Sequence, residues 1–185
     1  MNVRIDRRRR ISKWFDAYAN LRCMSDPTLL DALLDSWDRN NRILVNLLQL
    51  VPSDALDIRP VADSPSIKGL FAHMHFVRLV FVLEDAPEAA RPLPDGEWRV
   101  ECDVTQLIAM LHDSARAVAD AVRGWLASGR AMNQHYDHPV LMLQHLIWHE
   151  GYHHGQIKLA LKLAGRPLSD DEAGPGTWHV WMDKR

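Results

Sequence analysis

Apolar side chains recur every three or four residues along four long stretches of the chain. A capping serine or aspartate, or a proline suited to the first turn of a helix, opens each stretch. Glycine or proline follows where each stretch ends. No stretch shows the period-two alternation of a half-buried strand. The pattern therefore predicts four helices, over residues 27–51, 66–86, 103–128 and 139–164.

Four such helices in a chain of 185 residues predict an all-α fold, a single four-helix bundle. The link between the first two helices is long and marked by prolines, which predicts a crossover connection rather than a plain hairpin. The tail, Ser169–Gly176, is acidic and has the composition of a loop. It leads to Trp178 and Trp181, and because two exposed tryptophans would be costly, we expect the tail to pack back on the bundle.

Composition bounds the class of protein. Hydrophobic residues make up 47% of the chain, enough for the core of one domain. The formal net charge is -2, so nothing global indicates a nucleic-acid or membrane partner. A basic run, Arg7–Arg10, predicts a solvated N-terminal arm over residues 1–24 that precedes a bundle domain over residues 25–185. A phosphate-binding arm is the alternative for that run.

Cysteine use and hydropathy bear on the compartment. No apolar stretch approaches the ~18 residues that a membrane span requires, and the segment after the arginines is a poor signal-peptide core. Cys23 and Cys102 show no disulfide-scaffold spacing. We therefore expect a cytoplasmic protein, in which thiolates do not build the site.

The most informative motif lies in the fourth predicted helix, where His149 and His153 stand four residues apart with Glu150 beside the first. Positions i and i+4 lie one above the other on one helical face, so two imidazoles there can hold one metal ion. Both fall on the apolar stripe, where unsatisfied nitrogens would be costly and a metal would satisfy them.

A third imidazole from the second helix would complete the site. His73 and His75 both flank the apolar stripe of that helix, and the neighbours Leu70 and Val77 slightly favour His73 as the inward-facing one. Three neutral imidazoles with no carboxylate leave a position for water or substrate, as in catalytic rather than structural metal sites.

The other histidines receive weaker interpretations. His145 continues the ladder one turn earlier, but eight residues rise ~12 Å, so it cannot share an ion with His153. A pair of His145 and His149, with His153 behind it, stays open. His154 points off the stripe, towards solvent or a neighbouring subunit. A structural or surface role is expected of the rest, His112, His135, His138 and His179.

At this point the chain resembles the DinB-like (DinB/YfiT) family of metal-binding four-helix bundles. The matching stretches are RILVNLLQLVPSDALDIRP at Arg42–Pro60, SIKGLFAH at Ser66–His73 and HLIWHEGYHHGQIKLALKLAG at His145–Gly165. The ending GTWHVW is also similar. The second and third stretches are the specific ones, and together the matches span most of residues 27–181.

The resemblance implies a site and a class of activity. It implies a divalent metal, nickel or zinc, held by His73, His149 and His153, and a homodimer. It also implies a thiol-dependent transferase or isomerase acting on small molecules, with a low-molecular-weight thiol as a cofactor. His154 stands where many relatives carry arginine, so this chain has no guanidinium at that position to bind an anionic thiol.

The rival motif is H-E-x-x-H of zinc metallohydrolases, in which Glu150 would be the general base and Glu172 the third ligand. Such proteases need a strand beside the active helix, and the sequence shows no strand signal. A non-enzymatic, stress-related metal-binding or interaction module is the other alternative, and it would have a closed, four-ligand site. Nucleic-acid binding through Arg7–Arg10 is disfavoured because no basic face accompanies that run.

The sequence thus predicts a cytoplasmic metal-dependent protein of a transferase, isomerase or hydrolase type. Glu150 is a candidate catalytic residue for proton transfer, with a solvent-facing acid as the plainer interpretation. Gln156 is a candidate partner that would orient His153 one turn further along the helix.

Overall fold

The computed structural model of the chain describes residues 27–98, 103–129, 132 and 134–184. Arg7–Arg10, Cys23 and Cys102 lie outside the described residues, so the N-terminal arm and its boundary stay predictions. The chain divides into two compact units, Met1–Leu33 and Leu34–Arg185. Only the opening of the first helix is described in the first unit, and the fold and site below belong to the second.

The regular secondary structure of the described chain is all helical, with no strand. The predicted all-α bundle is therefore confirmed. Its five α-helices are α1 (Pro27–Leu50), α2 (Ile67–Asp85), α3 (Val104–Ser128), α4 (Pro139–Leu163) and α5 (Asp170–Ala173), and short 3₁₀ turns cover Ser53–Ala55, Pro87–Ala89 and Trp178–Met182.

Local chemistry sets these helix ends close to the predicted positions. The side chain of Ser66 accepts a hydrogen bond from the backbone of Gly69 and so caps α2. Asp103 and Gln106 form a reciprocal capping box at the start of α3. Gly129 ends that helix with a φ of 63°, a left-handed conformation that favours glycine.

One continuous apolar core joins the four long helices and the link after α1. Leu47, Leu48, Phe71 and Leu111 have no exposed surface in it. A buried leucine contributes about 1.5–3 kcal/mol over an exposed one, so this core supplies most of the drive for packing. Its other main members are Leu44, Val51, Ile67, Leu70, Met74, Leu107, Ile157, Ala160 and Leu161.

The crossover connection lies between α2 and α3, so its predicted place between the first two helices was wrong. After α2 ends at Asp85, the chain runs back along it, and the carbonyl oxygen of Trp98 comes to 3.6 Å from where a Cβ on Gly69 would stand. The link from α1 to α2 stays at one end of the bundle instead. Backbone bonds from Ile67 and Lys68 to that link close it on the start of α2.

The C-terminal tail packs on α1, as predicted. Asn46 donates a hydrogen bond of 2.8 Å to the carbonyl of Gly176, and Val180 is buried. The stretch expected to be a plain loop forms α5 instead, because Ser169 and Glu172 make a capping box around its first turn. Trp178 and Trp181 keep 39% and 43% of their surface exposed, so the tail covers them only in part.

Among the described residues, no helix combines the length and the apolar character needed to cross a bilayer.

Candidate metal centre

Three imidazoles from two helices converge between α2 and α4. The Nε2 atom of His149 lies 3.1 Å from Nε2 of His73 and 3.0 Å from Nε2 of His153. His73 and His153 are buried, and His149 is partly buried. His149 and His153 are one turn apart on α4, so their rings stand on the same face, opposite His73. We call these three residues the histidine cluster.

The outer ring nitrogens indicate which tautomers are present. Nδ1 of His153 lies 2.7 Å from Oε1 of Gln156, an acceptor, while the amide nitrogen of Gln156 donates to the Tyr152 hydroxyl. Nδ1 of His73 lies 2.7 Å from a carboxylate oxygen of Glu97, although the contact is not aligned as a hydrogen bond. Both neighbours favour a proton on Nδ1, which leaves bare lone pairs on the facing Nε2 atoms.

Burial keeps the three rings neutral. Desolvation, and after it repulsion from His153, lowers the pKa of His73 to about 4. Desolvation also lowers the pKa of His149 to about 4, with the neighbouring imidazoles as the next cause. The pKa of His153 is lowered by burial, against the hydrogen bond to Gln156, which raises it. Near neutral pH the cluster therefore presents nitrogen lone pairs rather than charged donors.

The nitrogen spacing fits a shared ion. Two nitrogens that each bind one metal at ~2.0–2.1 Å stand roughly 2.9–3.4 Å apart at tetrahedral to right angles. The observed 3.0 and 3.1 Å fall inside that interval. Bare lone pairs repel one another at such distances unless a cation lies between them. Among the described residues, these three form the group of metal-ligating side chains that could hold an ion.

Comparison with known families identifies the chain. A family model for the DinB family matches residues 24–174. The chain belongs to the DinB family. Comparison with curated proteins and with solved structures finds no match. The predicted resemblance is thus confirmed for the family, while membership by itself assigns neither a metal nor a reaction to this chain.

The cluster of this DinB-family chain uses His73, and the structure places His75 elsewhere. His75 is buried, and Nδ1 of His75 has no hydrogen-bond partner among the described residues. Burial lowers the pKa of His75, opposed by a hydrogen bond to the backbone of Met110 on α3. His145 sits one turn before His149, with ring centroids 6.4 Å apart, and Nδ1 of His145 lies 2.7 Å from the Tyr136 hydroxyl. Neither belongs to the cluster.

Sequence reasoning missed two residues at the rim of the cluster. The indole of Trp98 stacks on His73, with ring centroids 4.0 Å apart and planes 8° apart. Glu97 is the carboxylate beside the same ring. Both reach the site because the connection after α2 runs back along that helix. No periodic signal could have found them, since they follow the proline-rich loop that opens at Pro92.

Glu150, the candidate proton-transfer residue, points away from the cluster into the bundle core. It has no exposed surface, so the plainer interpretation as a solvent-facing acid was wrong. Its two carboxylate oxygens lie 2.6 and 2.9 Å from Nε and Nη2 of Arg78, which is equally buried. Asn40 also donates to the carboxylate, and Arg78 donates to Asn41 at 2.8 Å. We call these four residues the ion-pair network.

These contacts occupy the acceptor oxygens of Glu150, and its role in proton transfer stays a prediction. Arg78 could have been found in the sequence, because it follows Met74 and Leu70 at helical spacing on an apolar face. A buried arginine needs a carboxylate, and the one acid on the apolar stripe of α4 is Glu150.

Glu172, the third ligand in the rival metallohydrolase interpretation, is occupied at the tail. Its carboxylate accepts hydrogen bonds from the backbone and hydroxyl of Ser169, at 2.9 and 2.7 Å. It is exposed and is not among the residues that could hold an ion with the two α4 histidines. The histidine cluster therefore takes its third nitrogen from α2.

Proposed function

We propose that the chain is a divalent-metal-binding DinB-family protein in which His73, His149 and His153 hold the ion. The observation that carries the proposal is that two Nε2 atoms, of His73 and His153, lie 3.1 and 3.0 Å from the third, on His149. Acceptors beside two of the outer nitrogens support it, because they set the tautomer that a metal ligand needs. Nickel and zinc suit nitrogen donors, and availability decides between them as much as geometry.

We further propose that the protein is an enzyme that acts on small molecules, by thiol-dependent transfer or isomerisation or by hydrolysis. When bound, a divalent ion polarises an oxygen or sulfur group, or lowers the pKa of a coordinated water or thiol. A group of three protein donors supports a catalytic rather than a closed structural site. A small-molecule substrate and a cytoplasmic setting belong to the same proposal.

Three side chains around the histidine cluster would orient its rings or contact the substrate. Gln156 orients the His153 ring by accepting a hydrogen bond from its Nδ1, and the Glu97 carboxylate, 2.7 Å from Nδ1 of His73, favours a proton on that nitrogen. Trp98 covers one face of the His73 ring and, at 44% exposure, offers the other part of its indole to an incoming molecule. An aromatic wall beside polar donors is typical of small-molecule sites.

Metal titration of the purified protein tests the first part. After removal of bound metal with a chelator, zinc and nickel affinities are measured by calorimetry, with elemental analysis of the protein as isolated. The His73→Ala change should lower affinity by more than the roughly 100-fold that loss of an orienting partner causes. Glu172→Ala should leave affinity unchanged, and so should His112→Ala, which removes an exposed imidazole outside the cluster. Loss with Glu172→Ala and not with His73→Ala would instead support the metallohydrolase.

A turnover assay tests the second part. The metal-loaded protein is supplied with electrophilic small molecules and with each of the common low-molecular-weight thiols. We expect turnover that depends on both the metal and one thiol. Tight metal binding without turnover under any of these conditions would favour the non-enzymatic module.

A further inference from the structure

A second group of polar and aromatic side chains lies beside the histidine cluster, where the loop before α4 packs on the end of α2. The hydroxyl of Tyr136 lies 2.7 Å from Nδ1 of His145. The ring of Phe81 packs against both of these rings and against His135, at centroid distances between 5.4 and 5.7 Å. His145 is exposed, one turn before His149, so this group borders the histidine cluster without being part of it.

A buried carboxylate fixes the loop that carries Tyr136. Asp85, whose side chain has no exposed surface, accepts a hydrogen bond of 3.2 Å from the backbone N–H of His135 and lies 2.9 Å from Nδ1 of the same residue. Asp85 is the last residue of α2, where the helix dipole disfavours a negative charge. An acid buried at that end of a helix is costly unless it has partners, and His135 supplies two. The loop is therefore held in a defined position against α2.

The partner of Nδ1 decides which nitrogen of His145 carries the proton. Tyr136 keeps its hydroxyl proton, because burial, and after it the charge of Asp85, raises the pKa of Tyr136 to about 12. The distance of 2.7 Å is also shorter than the roughly 2.9–3.0 Å that is usual for an N–H donor. Tyr136 therefore donates to Nδ1, and the proton of the neutral His145 ring lies on Nε2.

His145 thus differs in tautomer from a cluster histidine on the same face of α4. In His153 an acceptor, Gln156, faces Nδ1, and Nε2 keeps the lone pair that a metal needs. In His145 a donor faces Nδ1, so Nε2 presents an N–H group instead. Among the described residues, this N–H group has no hydrogen-bond partner. It is therefore available to a bound molecule.

The distance between this N–H group and the histidine cluster suits a small molecule. His73 of α2 faces His149 of α4, and two turns further along α2 Phe81 faces His145. His145 and His149 are four residues apart on α4, a rise of ~6 Å. A molecule with one polar group at the ion can therefore reach His145 with an oxygen about one helical turn away.

We propose that His145 is a substrate-binding residue, whose Nε2–H donates to a carbonyl or carboxylate oxygen of the substrate, and that Tyr136 is the residue that positions it. The inference rests on the proposed function, because the ion holds the other end of the substrate. It narrows the substrate class to small molecules with an acceptor oxygen about one helical turn from the group at the ion. Two points of attachment orient a molecule, whereas the ion alone leaves it free to rotate.

Imidazole NMR of the metal-free protein tests the tautomer independently of any metal. At alkaline pH, where imidazoles are neutral, long-range proton–nitrogen correlation spectra distinguish protonated from bare ring nitrogens. His145 should carry its proton on Nε2. Tyr136→Phe should bring the tautomer ratio of His145 to that of His179, an exposed imidazole outside the site. A proton on Nδ1 of His145 in the parent protein, or an unchanged ratio in Tyr136→Phe, would overturn the proposal.

Ligand binding to the cobalt-loaded protein tests the contact with a substrate. Cobalt(II) suits nitrogen donors, and its visible absorption changes when a further ligand joins the ion. The probes are pentanoate and 4-oxopentanoate, which share a carboxylate for the ion and differ in one carbonyl group. The parent protein should bind 4-oxopentanoate about five times more tightly than pentanoate, the effect of one hydrogen bond between neutral groups.

Variants assign that preference to His145. The two probes should bind equally to His145→Ala, and His145→Gln, which restores an N–H donor, should recover part of the preference. Tyr136→Phe should reduce the preference about twofold while cobalt affinity stays unchanged, because the ring is no longer fixed in one tautomer. His179→Ala is the matched control, and it should keep the full preference.

The outcomes separate this inference from the proposed function. If cobalt does not bind the parent protein through the histidine cluster, the proposed function and this inference fail together. If cobalt binds there and the preference for 4-oxopentanoate is the same in the parent protein and in His145→Ala, this inference alone fails. Equal affinity of the two probes for the cobalt-loaded parent protein would have the same meaning.

Discussion

Helices α2 and α4 are joined by two polar clusters that differ in how their polar atoms are satisfied. In the ion-pair network, Arg78 and Glu150 carry full charges with no exposed surface, and each finds protein partners at 2.6 to 2.9 Å. In the histidine cluster the groups are neutral, and their Nε2 atoms face one another. Nδ1 of His149 is buried and has no hydrogen-bond partner among the described residues.

The comparison separates a structural from a functional use of buried polarity. A buried ion pair whose polar atoms all have hydrogen-bond partners in the protein fixes the register of the helices, and it needs no hydrogen bond from solvent. Facing lone pairs are unfavourable in the protein alone, and they become favourable when something from outside binds them. His149 and Glu150 are adjacent in sequence, and because consecutive side chains point about 100° apart, one turn of α4 serves both uses.

The largest effect is expected when the ion-pair network is broken. Glu150→Ala leaves the Arg78 guanidinium buried and uncompensated, so the free energy of unfolding should fall by about 3–5 kcal/mol. Urea denaturation followed by circular dichroism measures it. Glu84→Ala is the control, because Glu84 is about half exposed, and its effect should be within about 0.5 kcal/mol. Equal effects of the two variants would contradict a special cost of the buried charge.

Metal should stabilise the fold through the histidine cluster alone. At a free metal concentration of 1,000 times the dissociation constant, the free energy of unfolding should rise by about 4 kcal/mol. In His149→Ala the rise should vanish, because the imidazole shared by both short nitrogen contacts is gone. Thermal and urea unfolding with and without chelator give the comparison. A rise that persists in His149→Ala would place the metal elsewhere.

A smaller effect is expected from the orienting residue. Gln156→Ala removes the acceptor on Nδ1 of His153, so metal affinity should fall about 10- to 100-fold while the three ligands stay in place. Gln144→Ala is a matched control, an exposed glutamine three turns earlier on the same helix. Calorimetric titration of both variants measures the difference. Equal metal affinities of the two variants would mean that the hydrogen bond from His153 to Gln156 does not fix the orientation of the His153 imidazole.

The smallest effect concerns pH in the metal-free protein. The folded pKa of His73 and of His149 is lowered to about 4, below the ~6.5 of an unfolded chain. Between these values the unfolded chain binds more protons, so stability should be complete above about pH 6.5 and should decline as the pH falls towards 4. Urea midpoints at pH 7.5 and 5.5, with chelator present, should differ less in His149→Gln than in the parent protein. The same difference in both would show that other groups cause the decline.

The sequence predicted what depends on local pattern. Spacing alone placed both α4 histidines on one face, and capping residues placed the helix ends near Ser66, Asp103 and Gly129. The assignment of the third nitrogen to His73 rather than His75 rested on two apolar neighbours and on the family resemblance. The structure brings Nε2 of His73 to 3.1 Å from Nε2 of His149 and leaves His75 outside the cluster, while the role of His73 as a metal ligand stays a prediction.

The sequence could not predict what depends on tertiary contact. The direction of the connection after α2 follows from which helices run side by side, and no local signal carries that information. For the same reason Glu97 and Trp98 were missed. The burial of Glu150 was missed because its partner in space, Arg78, lies 72 residues away in the sequence.

The connection between α2 and α3 returns along α2. Because of this, the positions of the imidazoles and the aromatic surface beside them are set by different parts of the chain and can vary independently. The imidazoles stand on helices whose packing tolerates little change, since their faces are part of the common core. The indole against His73 comes from the proline-rich connection between α2 and α3, which lies outside that core, where insertions and substitutions are well tolerated. Substitutions in that connection can therefore change which molecule meets the imidazoles, while the helices that hold the imidazoles stay unchanged.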